Sequence, residues 1–329
     1  MDITGFISTH RKFLLVGFLV LLIAILVTFP LYIGEYNVRL LTVILMYVIL
    51  SVSWAMFSGP TGYMSLGTAA FFGTGMYTMA LLQYRLPFPV VIAAGGLVSF
   101  ALALLIGLVT LRLKGIYFAI FTFGLFMFML QTVMYAEGQI MGARGQHIIP
   151  LPAETTFFAM LVVTVTTVLA IYFIRRSRLG LALRSIGGNE DAAAHMGINT
   201  TRVKVLSFAI SAFFMGAAGV IMAPNLIYIN AGIAFGPSYS FLPILMCIFG
   251  GMQELHGPII GAVVFGYLDR TLRLEWATYF MLGFGIILVV IILFLPNGII
   301  GLVPLLRDKL GGVISKLRKG GEAEQRANT

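Results

Sequence analysis

The sequence has little charge and almost no cysteine or histidine. Charged residues make up 10% of the chain, whereas soluble domains carry about 25%. Cys247 is the single cysteine, so one chain can form neither an internal disulfide nor a cysteine-based metal site. The four histidines are scattered, and no H-E-x-x-H motif for zinc is present. These shortages argue against a metal-dependent enzyme.

Two further absences concern ATP hydrolysis and nucleophilic catalysis. The chain lacks a G-x-x-x-x-G-K-[ST] loop to hold nucleotide phosphates, so any ATP must be hydrolysed by another polypeptide. The GYMSLG segment around Ser65 superficially resembles a nucleophile elbow, but Tyr63 occupies the place of its first glycine. We therefore predict that the chain is not an enzyme and carries no cofactor or metal of its own.

Hydrophobic residues, in contrast, make up 60% of the chain and occur in long runs. The mean hydropathy is +1.01, and apolar runs of at least 18 residues recur from Phe13 to Val303. Such runs are long enough to cross a hydrocarbon core of about 30 Å. Barrel strands would be shorter and would alternate in polarity. The prediction is an all-α polytopic transmembrane helical bundle embedded in a lipid bilayer.

The predicted spans are 13–33, 40–57, 63–82, 87–111, 115–135, 155–174, 203–223 and 277–300. A further block, 240–272, is interrupted by Glu254, His256, Gly257 and Pro258. Its halves form either two tilted helices or a re-entrant hairpin, which gives about eight to ten spans. Non-helical backbone at this depth is tolerated only against protein or water.

Small residues at four-residue intervals predict close approach of helices inside the bundle. One set begins at Thr61 and continues through Ser65, Ala69 and Gly73. A second set comprises Ala212, Gly216 and Val220, with Ala209 and Gly219 beside it.

The basic residues predict the orientation. If the N-terminus is cytoplasmic, sixteen of the 21 lysines and arginines fall in cytoplasmic segments, as the positive-inside rule requires. Both termini are then cytoplasmic. This topology explains the net charge of +9 without nucleic acid as a partner. Residues 1–315 form the transmembrane domain, and residues 316–329 are a solvated, disordered tail.

The longest cytoplasmic loop on this topology is 175–202. Ser177 is predicted to cap a helix through Arg178–Ile186, which Gly187–Gly188 ends. Asn189 caps a second, short helix with Glu190 and Asp191 in its first turn, where the helix dipole favours acids, and Gly197 stops it. A two-turn helix is marginal alone in water, so this one suits docking on a partner, although a solvated connector fits the spacing equally well.

The loop carries a resemblance to a known family. RSRLGLALRSIGGNEDAAAHMGINTTRVK, from Arg176 to Lys204, resembles the corresponding loop in permease subunits of bacterial ATP-binding-cassette (ABC) importers for branched-chain amino acids, of the LivM type. GPTGYMSLGTAAFFGTGMYT at Gly59–Thr78 and GGMQELHGPIIGA at Gly250–Ala262 are similar to two glycine-rich blocks of that family. The Gly187–Gly188 pair departs from it, because relatives often carry charged or bulkier residues there.

The resemblance implies a subunit of the bacterial inner (plasma) membrane that works in a complex. Its expected partners are a second, homologous permease subunit, two ATP-binding subunits that hold ATP and magnesium, and an extracytoplasmic solute-binding protein. The residues expected to couple the chain to the ATPase are Arg184, Asn189, Glu190, Asp191, Ala193 and Gly197. Those expected to line the substrate path are Ser65, Gly67, Thr68 and Gly216.

Other functions remain open at this stage. Similar permeases handle urea, short amides or aromatic acids instead of branched-chain amino acids. An ion-coupled secondary carrier usually keeps ionisable residues near the middle of the membrane; here almost every acid lies in a loop, a tail or at a span boundary, with Glu254 and Asp269 as the only candidates. A passive channel needs only a polar lining. The cationic residues near the short helix, Lys204 among them, fit either pairing with acids of the partner or simple positive-inside retention.

Overall fold

The computed structural model describes residues 34–275, except 112, 140–144 and 253, together with the single residues 285 and 298. The predicted spans 13–33 and 277–300 and the tail 316–329 therefore lie outside the described residues, apart from those two positions.

The described chain is almost entirely helical. Its helices are α1 (Glu35–Thr61), α2 (Thr68–Leu82), α3 (Phe88–Thr110), α4 (Ile116–Gln139), α5 (Ala153–Arg176), α6 (Arg178–Gly188), α7 (Glu190–His195), α8 (Thr200–Met222), α9 (Ala231–Ala234), α10 (Ser238–Gly250) and α11 (His256–Glu275). A 3₁₀ turn covers Ala223–Asn225, and two-residue strands β1 (Gln146–His147) and β2 (Tyr228–Ile229) pair in antiparallel fashion.

Within the described residues, six segments are long and apolar enough to cross a membrane: Glu35–Thr61, Phe88–Thr110, Ile116–Gln139, Ala153–Arg176, Thr200–Asn225 and Ala231–Gly250. The predicted all-α polytopic membrane bundle is confirmed. The bundle has two ends. Helices α6 and α7 lie at one end, hereafter the loop end. The β1–β2 pair lies at the other, the far end, where the Gln83 side chain binds the His147 carbonyl (2.9 Å) and the Ile149 N–H (2.8 Å).

The predicted span 63–82 starts too early. Helix α1 ends at Thr61 because Gly62 adopts a left-handed conformation (φ +72°), which glycine reaches at no steric cost. Residues 62–67 are then non-helical, and α2 begins only at Thr68. The expected four-residue face from Thr61 to Gly73 is therefore not continuous.

Block 240–272 forms two antiparallel helices, α10 and α11, that meet at the loop end. Helix α11 begins beside α10, where Gly250 and Gly257 are in close backbone contact. Near its other end, Arg270 donates to the Tyr36 hydroxyl (3.2 Å) at the start of α1. With 20 residues α11 is about 30 Å long, so it is no shallow re-entrant segment. The preceding crossing starts at Ala231 and is broken at residues 235–237.

Helix α8 lies at the centre and packs most extensively against α3 and α2. Its predicted small-residue face is confirmed: Ala209, Ala212 and Val220 are fully buried. A methyl group added at Gly75 of α2 would lie 2.0 Å from the Gly216 carbonyl oxygen. The backbones of α2 and α8 are therefore in direct contact, which only glycine at this crossing allows.

Candidate functional site

The 175–202 loop folds as two short helices against the loop end of the bundle. Ser177 occupies the N-cap position of α6, but its hydroxyl donates to the Ile174 carbonyl (2.8 Å) and caps nothing. Helix α6 ends at Gly188, so the predicted Gly187–Gly188 pair forms its last two residues. Gly187 also serves packing: a methyl group there would lie 2.0 Å from the Pro60 carbonyl oxygen.

Helix α7 has well-formed caps at both ends. The Asn189 side chain accepts a hydrogen bond from the Ala192 N–H (3.0 Å), as predicted. At the C-terminal end Gly197 is left-handed (φ +86°). Ile198 N–H donates to the Ala193 carbonyl (3.2 Å), and Gly197 N–H donates to that of Ala194, the pattern of a Schellman motif. These caps satisfy the backbone of a helix too short to be stable alone.

A buried ion pair ties α7 to the bundle. Lys204, at the start of α8, is only 2% exposed, and its ammonium lies 2.6 Å from the Glu190 carboxylate. The same ammonium donates to the Leu111 carbonyl (2.8 Å) and lies 4.7 Å from the centroid of the Tyr63 ring. The Tyr63 hydroxyl donates to the other oxygen of Glu190. We call Tyr63, Leu111, Glu190 and Lys204 the anchor cluster.

The anchor cluster favours an ionised Glu190. Burial by itself raises the pKa of the Glu190 carboxyl, but the hydrogen bonds from Lys204 and Tyr63 and the positive charge nearby outweigh it, so the pKa lies below its usual value. A second, exposed pair joins Asp191 to Lys114 at 2.8 Å. Its hydrogen bond lowers the pKa of Asp191 and raises that of Lys114, but exposed pairs add little stability.

The structure divides the predicted coupling residues into two groups. Ala193 is fully buried, and Glu190 is turned into the anchor cluster. The exposed group comprises Arg184, Asn189, Asp191 and Gly197. Ala192, Ala194, His195 and Met196 are also exposed, Met196 to 70%. We call Ala192, Ala194, His195 and Met196 the outer face of α7. The coupling role of these residues stays a prediction.

The non-helical segment 62–67 is held by side chains from three other parts of the bundle. Trp54 donates its indole N–H to the Ser65 carbonyl (2.7 Å). Thr122 of α4 accepts from the Leu66 N–H (3.0 Å). Ser240 of α10 donates to the Leu66 carbonyl (2.8 Å) and accepts from the Ala69 N–H. These bonds supply the backbone partners that a broken helix lacks.

Three of the four predicted path residues meet at this break. Ser65, Gly67 and Thr68 are buried there, and Ser65 lines a narrow gap with no room for a water molecule. Gly216 lies apart, at the α2–α8 crossing, where a methyl group would meet the Ser99 hydroxyl at 2.1 Å. The structure gives Gly216 a packing role, and the path assignment of all four residues stays a prediction.

Sequence reasoning missed the partners that the tertiary structure supplies. Tyr63 and Glu190 are 127 positions apart, and nothing in the local pattern of either residue indicates the other. Lys204 was open to pairing with a partner's acids, but it is buried and pairs with Glu190. One available signal was a lysine lying four residues inside an apolar helix. Glu137 lies in the last turn of α4, at a span boundary as predicted, but the tertiary structure buries it, and it accepts from the Tyr77 hydroxyl and the Ala231 N–H.

No metal site is formed within the described part of the chain, since no three histidine, cysteine or acidic side chains there are placed to share an ion. The capped helix α7 is held by a buried ion pair to the start of α8, contacts segment 62–67 through Tyr63, and leaves its outer face exposed.

Comparisons with known proteins agree on one family. The family model for the permease component of branched-chain amino acid transport systems matches residues 36–293. The high-affinity branched-chain amino acid transport system permease protein LivM of Salmonella typhimurium is 29% identical over 92% of this chain and 77% of its own length. LivM of Escherichia coli K12 is 28% identical over 94% and 79%. The LivH permease of the same strain is 31% identical over 44% and 45%.

No solved structure matches the chain. The family model nevertheless spans most of the sequence, including the break at 62–67 and both short helices of the loop. The chain belongs to the family of permease components of branched-chain amino acid transport systems.

Proposed function

We propose that this chain is the permease subunit of an ABC importer that carries branched-chain amino acids across the bacterial inner membrane, driven by a separate ATPase docked on α7. It would pair with a second, homologous permease, two ATP-binding subunits and an extracytoplasmic binding protein. ATP and magnesium belong to the ATP-binding subunits. The loop end faces the cytoplasm, as the distribution of lysine and arginine indicates.

One observation carries the proposal: α7 is anchored on its inner side and exposed on its outer face. The anchor cluster buries the only charges that connect α7 to the start of α8 in the described structure. The outer face offers small and apolar side chains, ending in Met196, 70% exposed. Small residues with an exposed methionine suit a groove on a partner protein.

The mechanism follows from these contacts. When the ATPases close on ATP, they displace α7. The Glu190–Lys204 pair passes this displacement to α8, and the Tyr63 contact passes it to the break at 62–67. Because segment 62–67 is held by one hydrogen bond each with Trp54, Thr122 and Ser240, it can rearrange more easily than a continuous helix. The central helices then open the path to one side at a time.

Transport by the complete complex in proteoliposomes tests this function. We expect leucine uptake that requires hydrolysable ATP on the loop-end side, and competition by isoleucine and valine. Uptake that follows an ion gradient and ignores ATP would identify a secondary carrier. Flux through this chain alone without nucleotide would identify a channel. Competition by urea, short amides or aromatic acids in place of leucine would reassign the substrate.

The outer face predicts a specific docking defect. Ala192→Trp adds bulk to an exposed position, so we expect the thermal unfolding midpoint to stay unchanged. The ATPase should no longer co-purify with the variant, and the uptake rate should fall at least tenfold. Leu86→Trp is the control, because Leu86 is exposed at the far end. Normal ATPase binding by Ala192→Trp would show that α7 is not the docking element.

A further inference from the structure

A large cleft opens at the far end of the bundle, away from the coupling loop. Its cavity volume is about 550 Å³, and it lies between the start of α1, the end of α8, the break before α10, and the last turns of α11. Sites for small molecules typically range from about 300 to 1,000 Å³, so the cleft has room for an amino acid and water. We call it the far-end cleft.

The mouth of the far-end cleft carries charges of both signs. Arg39 is paired with Glu35 (2.7 Å) and reaches the Asn225 side chain (3.4 Å). Arg270 lies over the Tyr36 ring, 5.0 Å from its centroid. Asp269, only 5% exposed, is the one acidic residue among the described residues that line the cleft. With Glu35 paired to Arg39, the formal charges of Arg270 and Asp269 sum to zero among the described residues that line the cleft.

The wall deeper in the far-end cleft is apolar. Val43 and Met46 of α1 and Met222 and Leu226 at the end of α8 line it, and Met46 is 1% exposed. Methionine and branched aliphatic side chains make an adaptable apolar surface. Such a wall accepts a hydrocarbon side chain and would leave a buried charged one unpaired, at a high cost in free energy.

The backbone at the cleft is irregular where a membrane helix would normally be continuous. Gly236, inside the break at 235–237, and Ser238, the first residue of α10, line the cleft. Such breaks are tolerated at membrane depth only against protein or a water-filled cavity. Two residues further on, Ser240 holds the second break at Leu66. Helix α10 thus connects the cleft with segment 62–67, which contributes Tyr63 to the anchor cluster.

We infer that the far-end cleft binds a zwitterionic α-amino acid with an uncharged, apolar side chain. The substrate carboxylate lies near Arg270, its ammonium group near Asp269, and its side chain against Met46 and Met222. This inference rests on the proposed function, because it takes the far end as the exterior side. The selectivity would belong to the permease itself, in addition to any selection by a binding protein.

Cysteine labelling tests the cleft separately from the orientation. Ile233→Cys places a thiol in the cleft wall, and Tyr84→Cys places one in an exposed turn at the same end. The native Cys247 is fully buried. In right-side-out vesicles holding the permease complex without its binding protein, a membrane-impermeant maleimide should label both positions. Millimolar leucine should slow labelling of Ile233→Cys at least fivefold and leave Tyr84→Cys unchanged.

The outcomes separate the two proposals. If Tyr84→Cys is labelled only in inverted vesicles, the orientation in the proposed function is wrong. If Tyr84→Cys is labelled from outside but Ile233→Cys is unlabelled, or is labelled without protection by leucine, the cleft inference is overturned. Leu226→Cys, in the same wall, replaces Ile233→Cys should that variant fail to fold, and the same readings apply.

Ligand analogues test the assigned charges. Neither 3-methylbutylamine, which lacks the carboxylate, nor 4-methylpentanoate, which lacks the ammonium group, should protect Ile233→Cys at concentrations where leucine does. When Arg270→Gln is combined with Ile233→Cys, the leucine concentration that halves the labelling rate should rise about tenfold. This is the effect of one lost charge-assisted hydrogen bond. Arg85→Gln, an exposed arginine at the far end but outside the cleft, is the control. Equal protection by leucine and either analogue would overturn the zwitterion assignment.

Discussion

Replacing Lys204 with methionine should destabilise the folded chain by about 3–5 kcal/mol, the cost of removing one partner from a buried ion pair. Lys204 is 2% exposed and Glu190 16%, so the remaining carboxylate would lose its cation where little water can reach it. We also expect uncoupling: ATPase bound to the outer face of α7 should still hydrolyse ATP, while leucine uptake falls at least tenfold, because α7 is no longer tied to α8.

The exposed pair next to it provides a matched control. Lys114 binds Asp191, the neighbour of Glu190, at a similar distance of 2.8 Å, but both side chains are exposed. Lys114→Met should therefore leave the unfolding midpoint and the uptake nearly unchanged. The double variant Glu190→Gln with Lys204→Met, which removes both charges, should recover part of the stability lost in Lys204→Met. Equal behaviour of Lys204→Met and Lys114→Met would refute the anchor role.

The same pair predicts the direction of a pH effect. The pKa of Glu190 is lower in the folded chain than in the unfolded chain, so its contribution to stability is present above the unfolded pKa and is lost as the pH falls through the folded pKa. As the pH is lowered through the acidic range, the thermal unfolding midpoint should fall more steeply for the wild type than for the Glu190→Gln/Lys204→Met variant. Parallel curves would contradict an ionised, stabilising Glu190.

Gly75→Ala should disrupt the bundle more than its single methyl group suggests. The new carbon would lie 2.0 Å from the Gly216 carbonyl oxygen, a backbone atom that cannot move aside as a side chain could. Separating α2 from α8 should lower the free energy of unfolding by about 1–3 kcal/mol, as overpacking typically does. The displacement should also disturb the contacts of α3 with α8. Thermal unfolding in detergent and the yield of assembled complex measure the effect.

Gly124→Ala is the control for this crossing. Gly124 also lies inside an apolar helix, α4, but a methyl group there meets no atom within 4 Å, so stability should be unchanged or slightly higher. Gly219→Ala, whose methyl group would lie 2.1 Å from the Phe72 carbonyl oxygen, should reproduce the effect of Gly75→Ala on the other helix. A neutral result for both Gly75→Ala and Gly219→Ala would contradict the tight crossing.

Much of the fold followed from local pattern. Apolar runs predicted membrane helices because a segment that crosses lipid must be long and apolar and must satisfy its own backbone. The cap at Asn189 and the stop at Gly197 were predictable because capping depends on residues three or four positions apart. The small face of α8 was readable for the same reason, since residues on one helix face recur every three to four positions.

The site depended on contacts that no local pattern encodes. The amino-acid sequence by itself determined that this is a membrane-embedded helical subunit with a short capped helix in its longest basic loop. Hydropathy, charge and capping each act over a few residues and can therefore be recognised locally. Only the tertiary structure decided that Glu190 turns inward to Lys204 and Tyr63, and that segment 62–67 breaks a span. It also decided that a cleft opens at the far end. These features come from packing residues that are distant in sequence, where burial, and not local preference, sets the free energy.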